Sequence, residues 1–194
     1  MINRTLIRLK IVQLVYSYYQ NGGKNIDSAE KELLFSLSKA YDLYNYLLML
    51  IIAVTRFAEE QVERQERNNK ISHSDQVVNR RFAENLFVQQ LEVNKQLIDF
   101  KETQKKSWDN DKDYIKSLYN KIVTSDIYKE YMSAEESSYM ADREVWRKIY
   151  KNIIMKDEEI DNVLEEQSLY WNDDKEVVDT FVLKTIKRFE EKNG

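Results

Sequence analysis

Along much of this chain apolar residues recur at helical spacing. The clearest run is Leu33, Leu34, Leu37, Tyr41, Tyr44, Leu48, Ile51, Ile52 and Val54, which predicts a long second helix. Asp27 with Glu30 forms a capping-box-like start for it, each side chain placed to satisfy a backbone N–H that the first turn leaves free. The pattern runs on to about Arg67, a span of roughly 60 Å at ~1.5 Å per residue. Its last turns, 59–70, are almost all charged and must project into solvent. A first helix is predicted from Asn3, as its cap, to about Gln20, where Asn21-Gly22-Gly23 gives a strong stop signal. Residues 68–79 read as a loop. A third helix is predicted over 80–102, with Phe82, Leu86, Leu91 and Leu97 toward the core.

After Trp108 the pattern shortens. Acidic clusters at 109–113, 133–136, 157–159 and 173–176 are expected to open shorter helices, because carboxylates in a first turn complement the helix dipole. Trp108-Asp109-Asn110-Asp111-Lys112-Asp113 is echoed by Trp171-Asn172-Asp173-Asp174-Lys175-Glu176. Tyr114-Ile115-x-x-Leu118-Tyr119-x-x-Ile122 is echoed by Val145-Trp146-x-x-Ile149-Tyr150-x-x-Ile153. The spacings fit one or two multiples of about 31 to 32 residues, the size of a helix-pair repeat. Chance likeness between amphipathic helices of similar length gives the same echo, and both explanations stay open.

Composition supports the helical pattern. The chain has no proline, and its three glycines are Gly22, Gly23 and Gly194. A sheet protein of this size needs turn residues every ten or so positions, and they are missing. The expected fold is therefore all-α: a multi-helix bundle with a long second helix and a C-terminal set of helix-pair-like units. Residues 1–104 form the first region and 105–194 an additional helical region. Hydrophobic residues make up 42% and charged residues 33% with both signs mixed, which suits amphipathic helices with solvated outer faces. The most apolar stretch, 43–54, is about half of a membrane span and contains Asn45. A buried helix, no membrane partner and a cytoplasmic location are the expectation. The first ten residues carry three cations but no small-residue cleavage signal.

Signals for catalysis are sparse. There is no cysteine, so disulfides and thiolate chemistry are excluded. No glycine-rich phosphate loop exists, and His73 is the sole histidine, set in the polar run Ser72-His73-Ser74-Asp75. Glu135-Glu136, Glu158-Glu159 and Glu165-Glu166 fit solvated faces or first turns. No catalytic residue, metal site or cofactor is expected, and the chain reads as a binding protein rather than an enzyme.

Charge changes the picture more. Residues 1–26 hold Arg4, Arg8, Lys10 and Lys24 and no acid, a net +4, whereas the whole chain is −4 and the remainder therefore −8. Cations at a helix N-terminus oppose the macrodipole, so Arg4 and Arg8 do nothing for local stability. A basic, tyrosine-bearing end on an acidic protein suits single-stranded nucleic acid, with guanidinium on phosphate and ring on base. Ion pairing of the same arginines with acids elsewhere in the chain is the simpler alternative.

The first helix also carries a family resemblance. Arg4-x-x-x-Arg8-x-x-x-Val12-Gln13-x-x-Tyr16-Ser17-Tyr18 resembles the opening helix of the NusB family of transcription antitermination factors. Residues 3–20, together with Asn79-Arg80-Arg81-Phe82, are similar to the longer, Bacteroidetes-type members, which insert extra helices. The resemblance implies an all-helical fold that binds boxA-like single-stranded RNA together with a small-subunit ribosomal protein in the transcription elongation complex. It places Arg4 and Arg8 on phosphates and Tyr16 at the RNA face. Lys10 is a weaker RNA-binding candidate, since ~100° per residue puts it on another side of the helix. Thr5 and Leu6 stand where the family often has basic residues. No counterpart of the family's C-terminal motif is found, so the expectation is an N-terminal portion of such a factor. Self-association into a homodimer is left open. The alternative function is a helical protein–protein interaction scaffold that touches no nucleic acid, built on the tyrosine-rich helices after Trp108.

Overall fold

The predicted second helix forms the axis around which the rest of the chain is wrapped. The structure, a computed structural model, describes residues 4–20, 22 and 26–191. Those residues form nine α-helices and no strand. In order they are α1 (Arg4–Gln20), α2 (Ile26–Ile71), α3 (Leu86–Glu92), α4 (Lys95–Gln104), α5 (Lys112–Thr124), α6 (Asp126–Ser133), α7 (Tyr139–Asn152), α8 (Glu159–Gln167) and α9 (Lys175–Arg188). Short 3-10 turns stand at Trp108–Asn110, Ile154–Lys156 and Asn172–Asp174. The fold is all-α, as expected.

Every residue of α2 over 42–52 is buried, polar ones included. A helix covered on all sides needs neighbours on all sides, and α1, α3, α4, α5 and α9 supply them. The apolar part of α2 is long enough to cross a membrane, yet 78% of that window is buried inside the protein, as in a core helix.

Aromatic contacts fix the later helices to this axis. The Tyr46 ring lies 4.2 Å from Trp108 and 5.0 Å from Trp171, centroid to centroid. Trp108 donates its indole N–H to the Tyr46 carbonyl at 2.9 Å, and Trp171 donates to the Lys39 carbonyl at 3.0 Å. Each tryptophan stands at a 3-10 turn that leads into a helix, α5 or α9. The two echoed segments therefore do the same local job on one face of α2. The echoed helices α5 and α7 also bury matching positions, Tyr114, Ile115 and Leu118 against Val145, Trp146 and Ile149. Their surroundings differ, because α5 packs on α2 while α7 packs on α9, α3 and α6.

Tyrosine hydroxyls paired with carboxylates join one helix to another. Tyr150 donates to Asp179 at 2.6 Å, Tyr131 to Asp142 at 2.7 Å, and Tyr114 to Asp157 and Tyr46 to Asp111 at 3.2 Å each. Burial raises the pKa of all four hydroxyls, and the facing carboxylate raises it further. The phenol keeps its proton and stays a donor, which a buried acid requires.

Four expectations need correction. The third helix is not continuous over 80–102: residues 81–84 form a turn, and the segment splits into α3 and α4. Asn85 and Asn94 cause the breaks, because their side chains accept the backbone N–H of Val88 and of Gln96 and Leu97. Leu86, expected in the core, is exposed, whereas Phe82, Leu91 and Leu97 are buried. The acidic cluster at 133–136 opens no helix: α6 ends at Ser133, and Ser138 caps α7 by accepting from Ala141. The clusters at 109–113, 157–159 and 173–176 do lead into α5, α8 and α9. Finally, α2 begins at Ile26, which puts Asp27 in the first turn rather than at the cap. Asn3, Asn21 and Gly23 lie outside the described residues. Gly22 takes a left-handed φ of 74° just past α1.

Two stability measurements test this account. Tyr150→Phe leaves Asp179 with Lys175 as its remaining partner, and should cost about 1–3 kcal/mol in urea denaturation. Alkali is the second probe. Tyr128 is raised by burial from its ordinary 10.0 to about 12, and Tyr119 beside it adds to the rise. A raised tyrosine pKa gives stability that is complete below the unfolded value and is lost as pH rises through the folded one. The urea midpoint should hold up to pH of about 10 and decline toward about 12.

Candidate functional site

Helix α1 has an unusual division of faces. Of its described residues only Leu6 and Lys10 are buried, while Ile11, Val12, Val15, Tyr16 and Tyr19 are exposed. At ~100° per residue, Arg4, Arg8, Val12, Val15, Tyr16 and Tyr19 fall within an arc of roughly 120°. Leu6 and Lys10 point the opposite way. Arg4 and Arg8 are both exposed and enter no ion pair among the described residues. Tyr16 is 65% exposed and Tyr19 78%. Gln20 donates its amide to the Tyr16 hydroxyl at 2.6 Å, and Tyr18 meets Tyr19 edge-to-face at 5.9 Å. The stripe extends over about 22 Å from Arg4 to Tyr19 at ~1.5 Å per residue. Cations occupy its first two turns and aromatic rings its last two.

The four residues expected to bind RNA thus separate. Arg4, Arg8 and Tyr16 share the outward face. Lys10 does not: it is 6% exposed, and its ammonium lies 2.6 Å from a carboxylate oxygen of Asp174, itself fully buried. A lysine held this way presents no charge to a phosphate. Burial raises the Asp174 pKa, and the Lys10 ammonium works against that rise. Lys24 lies outside the described residues.

Tyr19 went unnoticed in the sequence. The signal was there, since it follows Tyr16 by three residues and Val15 by four on one helical stripe. The Asn79-Arg80-Arg81-Phe82 run serves structure instead. Arg80 bridges Glu66 at 2.9 Å and Glu84 at 2.6 Å, Phe82 is buried, and Arg81 lies 4.5 Å over the Tyr131 ring. Arg81 also donates to the carbonyls of Ala134 and Glu136, pinning the connection into α7.

Elsewhere the chemistry is thin. His73 is exposed in the turn after α2, with a left-handed φ of 52°. No group of three His, Cys, Asp or Glu is arranged to hold a metal among the described residues. A cleft of about 310 Å³ lies between α2, α4 and α5, with Met49, Ile52, Leu97 and Trp108 in its wall and Arg56 and Glu92 paired at its rim. No protein-family model, curated protein or solved structure matches the chain. Fold and surface define an all-α bundle that displays a cationic, aromatic helix face.

If the outward face does not hold the fold, changes there should be nearly silent. Val12→Ser and Tyr19→Ser should each shift unfolding free energy by no more than about 0.5 kcal/mol. Leu6→Ala, on the inner face, should cost at least about 2 kcal/mol in the same urea titration.

Proposed function

We propose that this protein binds single-stranded RNA through the outward face of α1, in the manner of a NusB-type antitermination factor. The observation that carries the reading is one stripe holding Arg4, Arg8, Tyr16 and Tyr19, all exposed. Guanidinium groups at one end would neutralise phosphates, and rings at the other would stack on bases. Such a surface needs no active site, and the reading treats the protein as a non-enzyme. The resemblance of residues 4–18 to the opening NusB helix narrows the RNA to a boxA-like element. By the same resemblance the partners are a small-subunit ribosomal protein and the elongation complex, in the cytoplasm.

A second observation favours a protein partner on the same side. Ile11, Val12 and Val15 are exposed between the arginines and the tyrosines, where RNA gains little from aliphatic side chains. A scaffold that binds only protein would use this part and not the charges.

Anisotropy with a fluorescein-labelled boxA-like RNA separates the two. Arg4→Ala with Arg8→Ala should weaken binding on the order of tenfold and lower the salt slope by about 1.4, two contacts at ~0.7 each. Tyr16→Ala with Tyr19→Ala should weaken binding without altering that slope. Equal affinity for wild type and the double arginine variant sinks the RNA assignment.

A further inference from the structure

Helix α1 carries apolar residues on both of its sides. The inner face offers buried Leu6 and Lys10 with half-buried Ile7, Leu14 and Tyr18, while Ile11, Val12, Val15, Tyr16 and Tyr19 remain outside. Apolar content therefore does little to choose between the two orientations, and turning the helix would also bury Arg4 and Arg8. On the inner face Lys10 forms a buried ion pair with Asp174, at 2.6 Å, with side-chain exposures of 6% and 0%.

Asp174 is itself fixed. It closes the 3-10 turn Asn172–Asp174, three residues after Trp171, whose indole is bonded to the Lys39 carbonyl of α2. Neither carboxylate oxygen receives a hydrogen bond of good geometry, so its charge is met by the close Lys10 ammonium. Lys10 is therefore the partner on which this buried charge depends. Withdrawing the ammonium would leave an uncompensated carboxylate in the core, so any rotation that pulls Lys10 away is opposed.

We propose that the Lys10–Asp174 ion pair is an orientation device that holds α1 with its arginine–tyrosine face outward. Lys10 lies about 200° around the helix from Arg8 at ~100° per residue, so anchoring one inward sends the other outward. Polar pairs that set register at some expense of stability are the best attested use of buried charges. Lys10 and Asp174 are positioning residues here and touch no ligand. The orientation claim stands on α1 alone; its link to RNA rests on the reading above.

The chain has no cysteine, so Val15→Cys gives a single thiol whose labelling reports which face is outside. It should label freely in the otherwise native protein. Adding Lys10→Met should either slow labelling at least tenfold, as in a turned helix, or lower amide protection over residues 6–20 on the order of a hundredfold, as in a released one. Either change supports the proposal, and the absence of both overturns it. The exchange Lys10→Glu with Asp174→Lys should recover most of the protection lost by the single changes, whereas additive losses overturn a specific pair.

For RNA, Asp174→Asn is the decisive variant. Removing an acid should strengthen RNA binding if only net charge matters, whereas a misoriented α1 weakens it. Weaker binding to the fluorescein-labelled RNA supports the device, and stronger binding overturns its role in recognition. Failure of the native protein to bind RNA would dispose of the RNA reading alone, since thiol labelling and amide protection still decide the orientation.

Discussion

Eleven consecutive residues of α2, 42–52, are covered on every side, and the rest of the molecule is arranged to cover them. An isolated helix of this composition would expose Leu43, Leu47, Leu50 and Ile51 to water. Its middle therefore becomes stable only when neighbours arrive from distant sequence. Trp108 and Trp171 bring two of those neighbours. By stacking on Tyr46 and donating to α2 carbonyls, they set where α5 and α9 begin. A carbonyl already in a helical bond has a second lone pair, so these contacts need no break in α2. Of the remaining helices, α1, α3 and α4 pack on the axis, while α6, α7 and α8 pack on its neighbours and on one another.

Apolar contact alone does not fix how the outer helices are registered. The tyrosine–aspartate bonds do, because each joins a different pair of segments: α6 to α7 through Asp142, α7 to α9 through Asp179, and α5 to the start of α8 through Asp157. Buried carboxylates without donors would be expensive. Here each is met by a phenol, and Asp142 also receives the backbone N–H of Leu86. That last bond ties the start of α3 to α7, so the break at Asn85 is stabilised from outside the segment in which it lies.

Long elements were legible in the sequence because their signals repeat. The helices from Arg4 to Gln20 and from Ile26 to Ile71 stand close to where periodicity and the glycine pair put them. Single-residue events were not. Asparagine is a weak local signal, and whether Asn85 and Asn94 break a helix depends on their caps and, for Asn85, on a bond to Asp142 57 residues away. Acidic pairs look alike whether they start a helix or, like 133–136, fill a connection. For the candidate site, periodicity put Lys10 on a different side from Arg8. It could not reveal that this side is the inner one, since the partner Asp174 is remote in sequence. Tyr19 is legible by spacing but lies outside the family pattern, which ends at position 18.

The position of the arginines carries more meaning in the folded protein than along the chain. At a helix N-terminus they oppose the dipole, and a local remedy would be an acid one turn away, as Glu84 is for Arg80. Helix α1 has no acid at all. The one cation it does neutralise, Lys10, is matched by a buried aspartate from the far end of the chain, while Arg4 and Arg8 remain in solvent. Exposed guanidinium groups are solvated and need no partner, so the contrast lies in Lys10, a cation of α1 drawn inward to a buried carboxylate. On the proposed reading, the paired charge helps to orient the helix and the solvated charges are left to meet an anion that comes from outside.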